Sequence, residues 1–169
     1  MRKITKLLTY FTVIVLVSSC GATAAEKKAE KKAAEALYAQ KIDEAIKSMD
    51  FTIEITQIIP RSFPSKVTQD GYTIEIKGNT VTTYLPYFGV SRSSIAPSDE
   101  QSINVKKQEV IYGRDFSKPG QYKLSFTAMS GKDKWEFVLQ IFDNGSVNIG
   151  CRCTDRDSMS YLGEIVFED

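Results

Sequence analysis

Histidine is absent from the 169 residues of this sequence. Histidine is the commonest general base, the usual protein ligand of zinc and the side chain that most often changes its charge near neutral pH. Its absence excludes a Ser-His-Asp or Cys-His catalytic arrangement within the chain. We therefore expect a protein that is not an enzyme and that needs no cofactor and no metal.

The sequence also lacks, at its start, an apolar run long enough to cross a membrane as a helix. The run at residues 7–17 has eleven residues, whereas a helix that spans a bilayer needs about 20. Three basic residues, Arg2, Lys3 and Lys6, precede the run. A short cationic segment followed by a short apolar run is typical of a secretory signal peptide.

Cysteine is scarce, with three residues in the chain, and the first one lies where the apolar run ends. The sequence VSSC at residues 17–20 resembles the lipobox of bacterial lipoproteins. This pattern predicts a lipoprotein signal peptide at residues 1–19 and a lipid-modified Cys20 as the mature N-terminus, which attaches the protein to a membrane. The alternative is ordinary cleavage after the small residues 22–24, which would remove Cys20.

An excess of positive charge is missing as well. Removal of residues 1–19 leaves 19 basic and 21 acidic side chains in the mature chain, a slight negative excess. Proteins that bind nucleic acid carry a clear basic surplus or a basic patch. Nucleic acid is therefore not an expected partner.

Good helix formers fill the segment that follows, and the spacing predicts a helix over residues 26–49. Its first half offers only alanine as an apolar residue, so we expect residues 20–33 to be a charged spacer, either partly helical or a disordered linker. The second half carries an apolar stripe at helical spacing, which predicts docking on a folded domain. The stripe consists of Ala34, Tyr38, Ile42, Ala45 and Met49.

From Phe51 onward, apolar and polar residues alternate, as they do in antiparallel strands with one buried face. The predicted fold class is α+β: an N-terminal helix followed by an antiparallel β-meander that forms a sandwich or an open barrel-like sheet, in a single domain over residues 34–169. The helix should cover one face or end of the sheet, and residues 86–102 should form a long loop. Strands are predicted near residues 51–59, 72–77, 80–85, 104–112, 121–129, 134–142, 146–153 and 160–167.

One predicted hairpin supplies much of the core. In its first strand, Trp135, Phe137, Leu139 and Ile141 should point inward. The second strand should contribute Val147, Ile149 and Cys151.

Two groups of polar residues are candidate sites of chemistry. The pair Cys151 and Cys153 could bind a soft metal, but two thiols fall short of a zinc cage, and buried small side chains are the better interpretation. Three carboxylates, Asp143, Asp155 and Asp157, could serve a hydrolase or bind calcium, but their spacing has no calcium-loop pattern. Solvated turn residues are the better interpretation for these carboxylates.

The segment YLPYFG at residues 84–89 is the most distinctive stretch of the chain. Its three rings, Tyr84, Tyr87 and Phe88, could contact a sugar, an acyl chain or a side chain of a partner. The competing interpretation is that the rings cap the core at a strand end while Gly89 supplies an unusual backbone conformation.

That segment, with FDNGS at residues 142–146 and SYLGEI at residues 160–165, resembles the pattern of domain-of-unknown-function family 4251. The resemblance extends from about residue 35 to residue 169, and the Cys-x-Cys segment lies outside the pattern. Members of the family are small exported proteins of Bacteroides and related bacteria, without an established activity. The resemblance therefore implies no catalytic residue, but it does imply an outer-membrane lipoprotein. Because the residues after Cys20 lack an acidic cluster, we expect the protein to face the periplasm.

Three hypotheses for function follow. The leading one is a non-enzymatic envelope lipoprotein whose β-rich domain binds another envelope component, most simply a protein. The second is a module that binds a glycan or a lipid through Tyr84, Tyr87 and Phe88. The third is a hydrolase that uses Asp143, Asp155 or Asp157.

Overall fold

A computed structural model describes residues 24–68, 71–89 and 102–167. Within these residues, one helix precedes ten strands, and the strands form a single antiparallel sheet. The elements are α1 (Ala24–Ser48), β1 (Asp50–Pro60), β2 (Lys66–Val67), β3 (Thr73–Lys77), β4 (Thr80–Pro86), β5 (Ser102–Glu109), β6 (Gly113–Lys118), β7 (Gln121–Ser130), β8 (Asp133–Phe142), β9 (Ser146–Cys153) and β10 (Met159–Val166).

The predicted helix is confirmed, with bounds within two residues of those expected. The compact domain begins at Leu37, and the last three turns of α1 belong to it. Their inward side chains are Ile42, Ala45, Ile46 and Met49, all buried in the core. Residues 26–38, in contrast, are exposed. The prediction that Ala34 and Tyr38 are buried with the rest of the docking stripe was therefore wrong, because the helix first meets the core at Ile42. The helix ends because Met49 adopts a left-handed conformation (φ 54°), and its carbonyl then accepts a 2.7 Å hydrogen bond from the Gly78 N–H.

The α+β class is confirmed, and the sheet is a curled half-barrel. The order of its strands is β5-β4-β3-β1-β10-β9-β8-β7-β6, with β2 paired to part of β1. The sheet consists of two meanders, one on each side of the central pair formed by the first and the last strand. Because the concave face holds the core, the convex face of the sheet is the outer one, and the alternating side chains of each strand divide between the two faces.

The predicted hairpin has the expected register. Phe137 lies opposite Cys151, Leu139 opposite Ile149, and Ile141 opposite Val147. All of these side chains are buried, together with Trp135. The alternation in the sequence was sufficient to predict this register because β8 and β9 each have one buried face and are joined by a short Asn-Gly turn.

Two strands, β2 and β6, were not predicted from the sequence. Strand β6 has six exposed residues and no alternation, because it is held by main-chain pairing along β7 rather than by burial. Strand β2 has two residues and pairs with residues 57 and 58 of β1. The strand predicted over residues 104–112 was too long: β5 ends at Glu109, and the chain then crosses to β6.

The sheet almost closes where β5 meets β7, and this seam uses side chains. The N–H of Asn104 donates to the Ser130 hydroxyl (2.9 Å), and the N–H of Met129 donates to the side-chain oxygen of Gln108 (2.9 Å). The ladder between β6 and β7 stops before this point, at the pair Gly113–Ser125. The edge of β7 is therefore shared between two strands that diverge.

Several predictions fall outside the described residues. They are the signal peptide at residues 1–19, the lipid attachment at Cys20, and the part of the predicted loop over residues 90–101. Within the described residues, α1 is not apolar enough over any stretch to span a bilayer.

Candidate functional site

Tyr87, the second ring of the YLPYFG segment, is buried where β4 ends. Its hydroxyl accepts a 3.0 Å hydrogen bond from the Asp157 N–H in the loop between β9 and β10. Its ring packs edge-on against Trp135, with centroids 5.6 Å apart. Beside it, the Tyr161 hydroxyl donates a 2.8 Å bond to the Pro86 carbonyl. Burial raises the pKa of Tyr87, so this phenol stays neutral.

Arg156 covers the outer side of this cluster. Its guanidinium lies 5.3 Å from the centre of the Tyr87 ring, and its Nε is 2.5 Å from a carboxylate oxygen of Asp133. The side chains of Arg156 and Asp133 are only 12% and 19% exposed, so solvent screens the pair weakly. A cation–π contact and an ion pair thus fix the loop between β9 and β10 against β4 and β8.

Two further residues of the segment are explained by close packing. A Cβ atom added to Gly89 would collide with the hydroxyl of Tyr87 and lie 3.1 Å from the Cβ of Asp157. Phe88 is partly buried, and the ammonium group of Lys66 lies 4.4 Å from the centre of its ring. We call the group formed by Tyr87, Gly89, Trp135, Arg156 and Asp157 the clasp, because it joins three separate parts of the chain.

The three rings predicted as contact residues do not form one platform. Tyr87 is 6% exposed in the core, Phe88 lies beneath Lys66, and Tyr84 points to the outer face with 47% of its surface exposed. The period of two along β4 explains this division, since Leu85 and Tyr87 continue the inward set to which Thr83 belongs. Tyr84 lies between Thr73 and Asn104 in the sheet.

The other candidates are also separated. Asp143 precedes β9, while Asp155 and Asp157 follow it, which places them about 26 Å apart at 3.3 Å per residue. Cys151 is fully buried, and burial raises the pKa of its thiol; Cys153 is partly exposed, and neither forms a disulfide. Among the described residues, no three acidic or cysteine side chains come together as a metal site would require.

The structure adds a site that the sequence analysis did not find. A groove of about 540 Å³ lies on the outer face where β6 diverges from β7. Ile111 (93% exposed) and Val138 (39% exposed) give it apolar walls, and its charged lining residues are Glu109 and Glu136. Thr127 also lines it. We call these five residues the acidic groove. The alternation along β8 predicts that Glu136 and Val138 point outward. It does not predict the groove, which also requires that β5 end at Glu109 and that the chain then cross to β6.

The chain matches the family model described as "Domain of unknown function (DUF4251)" over residues 33–165. It belongs to this family. The match contains every strand of the sheet except the last residue of β10, so the clasp and the acidic groove both lie inside the family domain. A search of curated proteins finds no match.

A solved structure shares the fold. The chain is similar to a DUF4251 family protein from Bacteroides eggerthii DSM 20697, with 15% sequence identity and a TM-score of 0.58. The alignment covers 79% of this chain and 90% of the other. The two DUF4251 proteins therefore share the fold over most of both chains.

Replacement of Tyr87 by phenylalanine tests the clasp. The Tyr87→Phe change removes the acceptor for the Asp157 N–H, so we expect the free energy of unfolding to fall by about 1–2 kcal/mol. Tyr84→Phe is the matched control, since the Tyr84 side chain lies on the outer face, and it should change stability by less than about 0.5 kcal/mol. Urea denaturation measures both. Equal effects of the two changes would contradict the role assigned to the clasp.

Two partly buried tyrosines should make the DUF4251 domain sensitive to alkali. Burial raises the pKa of Tyr112 to about 12. Burial, and then the hydrogen bond that the Tyr122 hydroxyl donates to Asp43 (2.8 Å), raise the pKa of Tyr122 to about 12. The folded state favours the neutral phenols. Their contribution to the free energy of unfolding is therefore complete below pH 10 and is lost as the pH rises toward 12.

Absorbance at the phenolate wavelength should therefore show that Tyr112 and Tyr122 ionise later than an unperturbed tyrosine, whose pKa is about 10. Burial also raises the pKa of Tyr87 and Tyr161, so these two phenols ionise late as well. Tyr122→Phe should remove one late-ionising group and flatten the fall in stability above pH 10. An unchanged titration curve for Tyr122→Phe would show that its phenol is not perturbed by Asp43 and burial.

Proposed function

We propose that this DUF4251 protein is a lipoprotein of the cell envelope that acts by binding another envelope protein. A lipid-modified Cys20 would hold it in the outer membrane on the periplasmic side, as the lipobox-like segment and the family resemblance suggest. The charged first half of α1 would act as a spacer, consistent with the exposure of residues 26–38. On this view the protein works by contact rather than by catalysis.

The observation that carries this proposal is the exposed ring of Tyr84. Tyr84 is 47% exposed, and its ring stacks at 5.4 Å on that of Tyr72 in a tilted arrangement. A tyrosine whose body is held by a neighbouring ring loses little conformational entropy when a partner covers it, which is one reason why tyrosine is enriched at protein interfaces. Thr73 and Asn104 beside it could supply hydrogen bonds at the rim.

A protein partner is favoured over a small ligand by the shape of this surface. Tyr84 lies on the convex face of the curled sheet, whereas small ligands are usually bound in concave sites. Glycan binding remains the second candidate, because one exposed tyrosine face with neighbouring hydroxyl and amide groups can also stack on a sugar ring. The two candidates differ in the chemistry of what is captured.

Photo-crosslinking in living cells separates these candidates. A photoreactive phenylalanine analogue replaces Tyr84 in the full-length chain, and the same analogue at Glu164, an exposed residue of β10, is the matched control. We expect one discrete adduct at position 84 that protease removes and that is absent at position 164. A protease-resistant, periodate-sensitive adduct would support the glycan instead. Equal adducts at both positions would contradict contact through Tyr84.

The anchor requires a separate experiment. Cys20→Ser should abolish incorporation of labelled fatty acid and release the protein from the membrane fraction, because Cys20 is the only residue of the lipobox-like segment that can be acylated in this way. Retention of both the label and the membrane association in Cys20→Ser would refute the lipoprotein assignment. This outcome would leave the test at position 84 unaffected.

A further inference from the structure

The hairpin between β1 and β2 exposes apolar and cationic side chains together. Phe63 at its turn is 52% exposed, and Val67 on β2 is 82% exposed. Arg61 and Lys66 are exposed on either side of Phe63. The sequence contains no carboxylate between Glu54 and Asp70, so the hairpin has a local positive charge. We call Arg61, Phe63, Lys66 and Val67 the basic hairpin.

The acidic groove has the complementary chemistry. Its apolar walls are Ile111 and Val138, and its charged lining residues are Glu109 and Glu136. In the described part of the chain, neither carboxylate forms an ion pair. A volume of about 540 Å³ lies within the range of 300–1,000 Å³ that binding sites usually have. An occupant should therefore combine an apolar side chain with positive charge.

The edge of β7 adds a directional element to this groove. Main-chain groups of alternate residues in a strand point to the same edge. The Met129 N–H points across the seam to Gln108, so the N–H of Thr127 points to the same edge, beyond the last pair of the β6–β7 ladder. This part of the groove offers hydrogen-bonding groups to a chain segment that lies along it.

We propose that the basic hairpin of one molecule docks in the acidic groove of a second copy of this chain. Phe63 would pack against Ile111 and Val138. Arg61 and Lys66 would lie near Glu109 and Glu136. Opposite charges on two surfaces favour the correct partner and the correct orientation. The two surfaces are opposite in charge, and both carry exposed apolar side chains.

In the structure the hairpin does not lie on the groove of its own molecule, since the Lys66 ammonium group is held over the Phe88 ring. Three strand spacings, about 14 Å, separate β1 from β8 across β10 and β9. The base of the hairpin is fixed because Pro60 is paired with Met159 of β10. The contact is therefore intermolecular. Because the hairpin and the groove are different surfaces of one molecule, the contact either repeats head to tail or occurs twice in a two-fold dimer.

The contact should be weak in solution. One hairpin in one groove buries less than the roughly 1,200 Å² of a stable interface, so we expect dissociation constants near the millimolar range. Ion pairs at the rim also weaken with salt. If the protein is lipid-anchored as proposed above, confinement to a membrane surface would raise its effective concentration.

Charge exchange provides the test, with the full-length chain in detergent micelles. One variant carries an acidic hairpin (Arg61→Glu with Lys66→Glu), and the other carries a basic groove (Glu109→Lys with Glu136→Lys). Sedimentation from micromolar to near-millimolar protein should show association of the parent at low salt. Each variant alone should associate at least tenfold more weakly, and a mixture of the two should recover the association of the parent. Thermal melting of each variant checks that the fold is intact.

Two further measurements decide against other occupants. Phe63→Ser should weaken self-association, whereas Phe116→Ser, at another exposed ring on β6, should not. A parent that stays monomeric, or a mixture that does not associate, would overturn the inference. If the acidic-hairpin variant loses binding to phosphatidylglycerol vesicles while self-association is unchanged, the occupant is a lipid surface and the inference is wrong. None of these outcomes affects the crosslinking test at position 84.

Discussion

Phe137→Asp should abolish folding of the domain. Phe137 is fully buried, and its ring stacks on Phe126 with centroids 4.7 Å apart. Loss of the ring costs about 3–5 kcal/mol. Burial of an unpaired carboxylate adds several kcal/mol more. Together they are comparable with the whole stability of a domain of this size, about 5–15 kcal/mol.

The adjacent residue provides a matched control. Val138 is on the outer face and 39% exposed, so Val138→Asp should leave a cooperative unfolding transition near that of the parent. Ile149→Lys, a change in the buried residue of the neighbouring strand β9, should behave like Phe137→Asp. Circular dichroism during heating is sufficient to measure all three. A cooperative melt of Phe137→Asp near the temperature of the parent would mean that β8 has the opposite register.

Gly163→Ala should produce the second largest effect. A Cβ atom at Gly163 would lie 2.5 Å from the Glu54 carbonyl oxygen and 2.9 Å from a methyl carbon of Ile53. The obstacle is the main chain of β1 beside the irregularity in its pairing with β10, and a main chain cannot rotate away as a flexible side chain can. We expect a loss of about 3 kcal/mol, at the upper end of the cost of overpacking.

Gly150→Ala is the control for this prediction. Gly150 is also in a central strand, but the nearest atom to an added Cβ is the Val138 carbonyl oxygen at 4.0 Å, an ordinary contact. Because glycine in a strand costs about 0.5–1 kcal/mol relative to alanine, this change should be neutral or slightly stabilising. Chemical denaturation of both variants measures the difference. Equal stabilities would show that β1 shifts freely at Gly163.

Periodicity predicted those parts of the fold that are held by burial. The helix, the register of β8 with β9, and the inward side chains of both strands follow from apolar spacing, since burial of one face selects one register. Strand β6 could not be found in this way, because its six exposed residues carry no apolar signal. Its existence depends on the edge of β7, which is formed by residues up to twelve positions away in sequence.

The local sequence determines only part of the structure of the YLPYFG segment. Alternation along β4 places Tyr84 outward and Leu85 inward, and the same period extended by two residues places Tyr87 inward. Nothing local to the segment, however, indicates that the Tyr87 hydroxyl accepts a hydrogen bond from Asp157, seventy residues further along the chain. Asp157 resembled a solvated turn residue in the sequence because its partner, Tyr87, lies in a distant part of the chain.

Amino-acid order alone was sufficient to establish the absence of histidine, the part of the apolar stripe of α1 from Ile42 to Met49 and the two-residue period of the strands, because each is a property of a short stretch of chain. The pairing of β1 with β10, the clasp and the acidic groove arise from contacts between residues that are far apart in sequence. Such contacts form when the curled sheet brings distant strands together. Each contact closes a long segment of chain, and this closure produces no periodic pattern in the sequence.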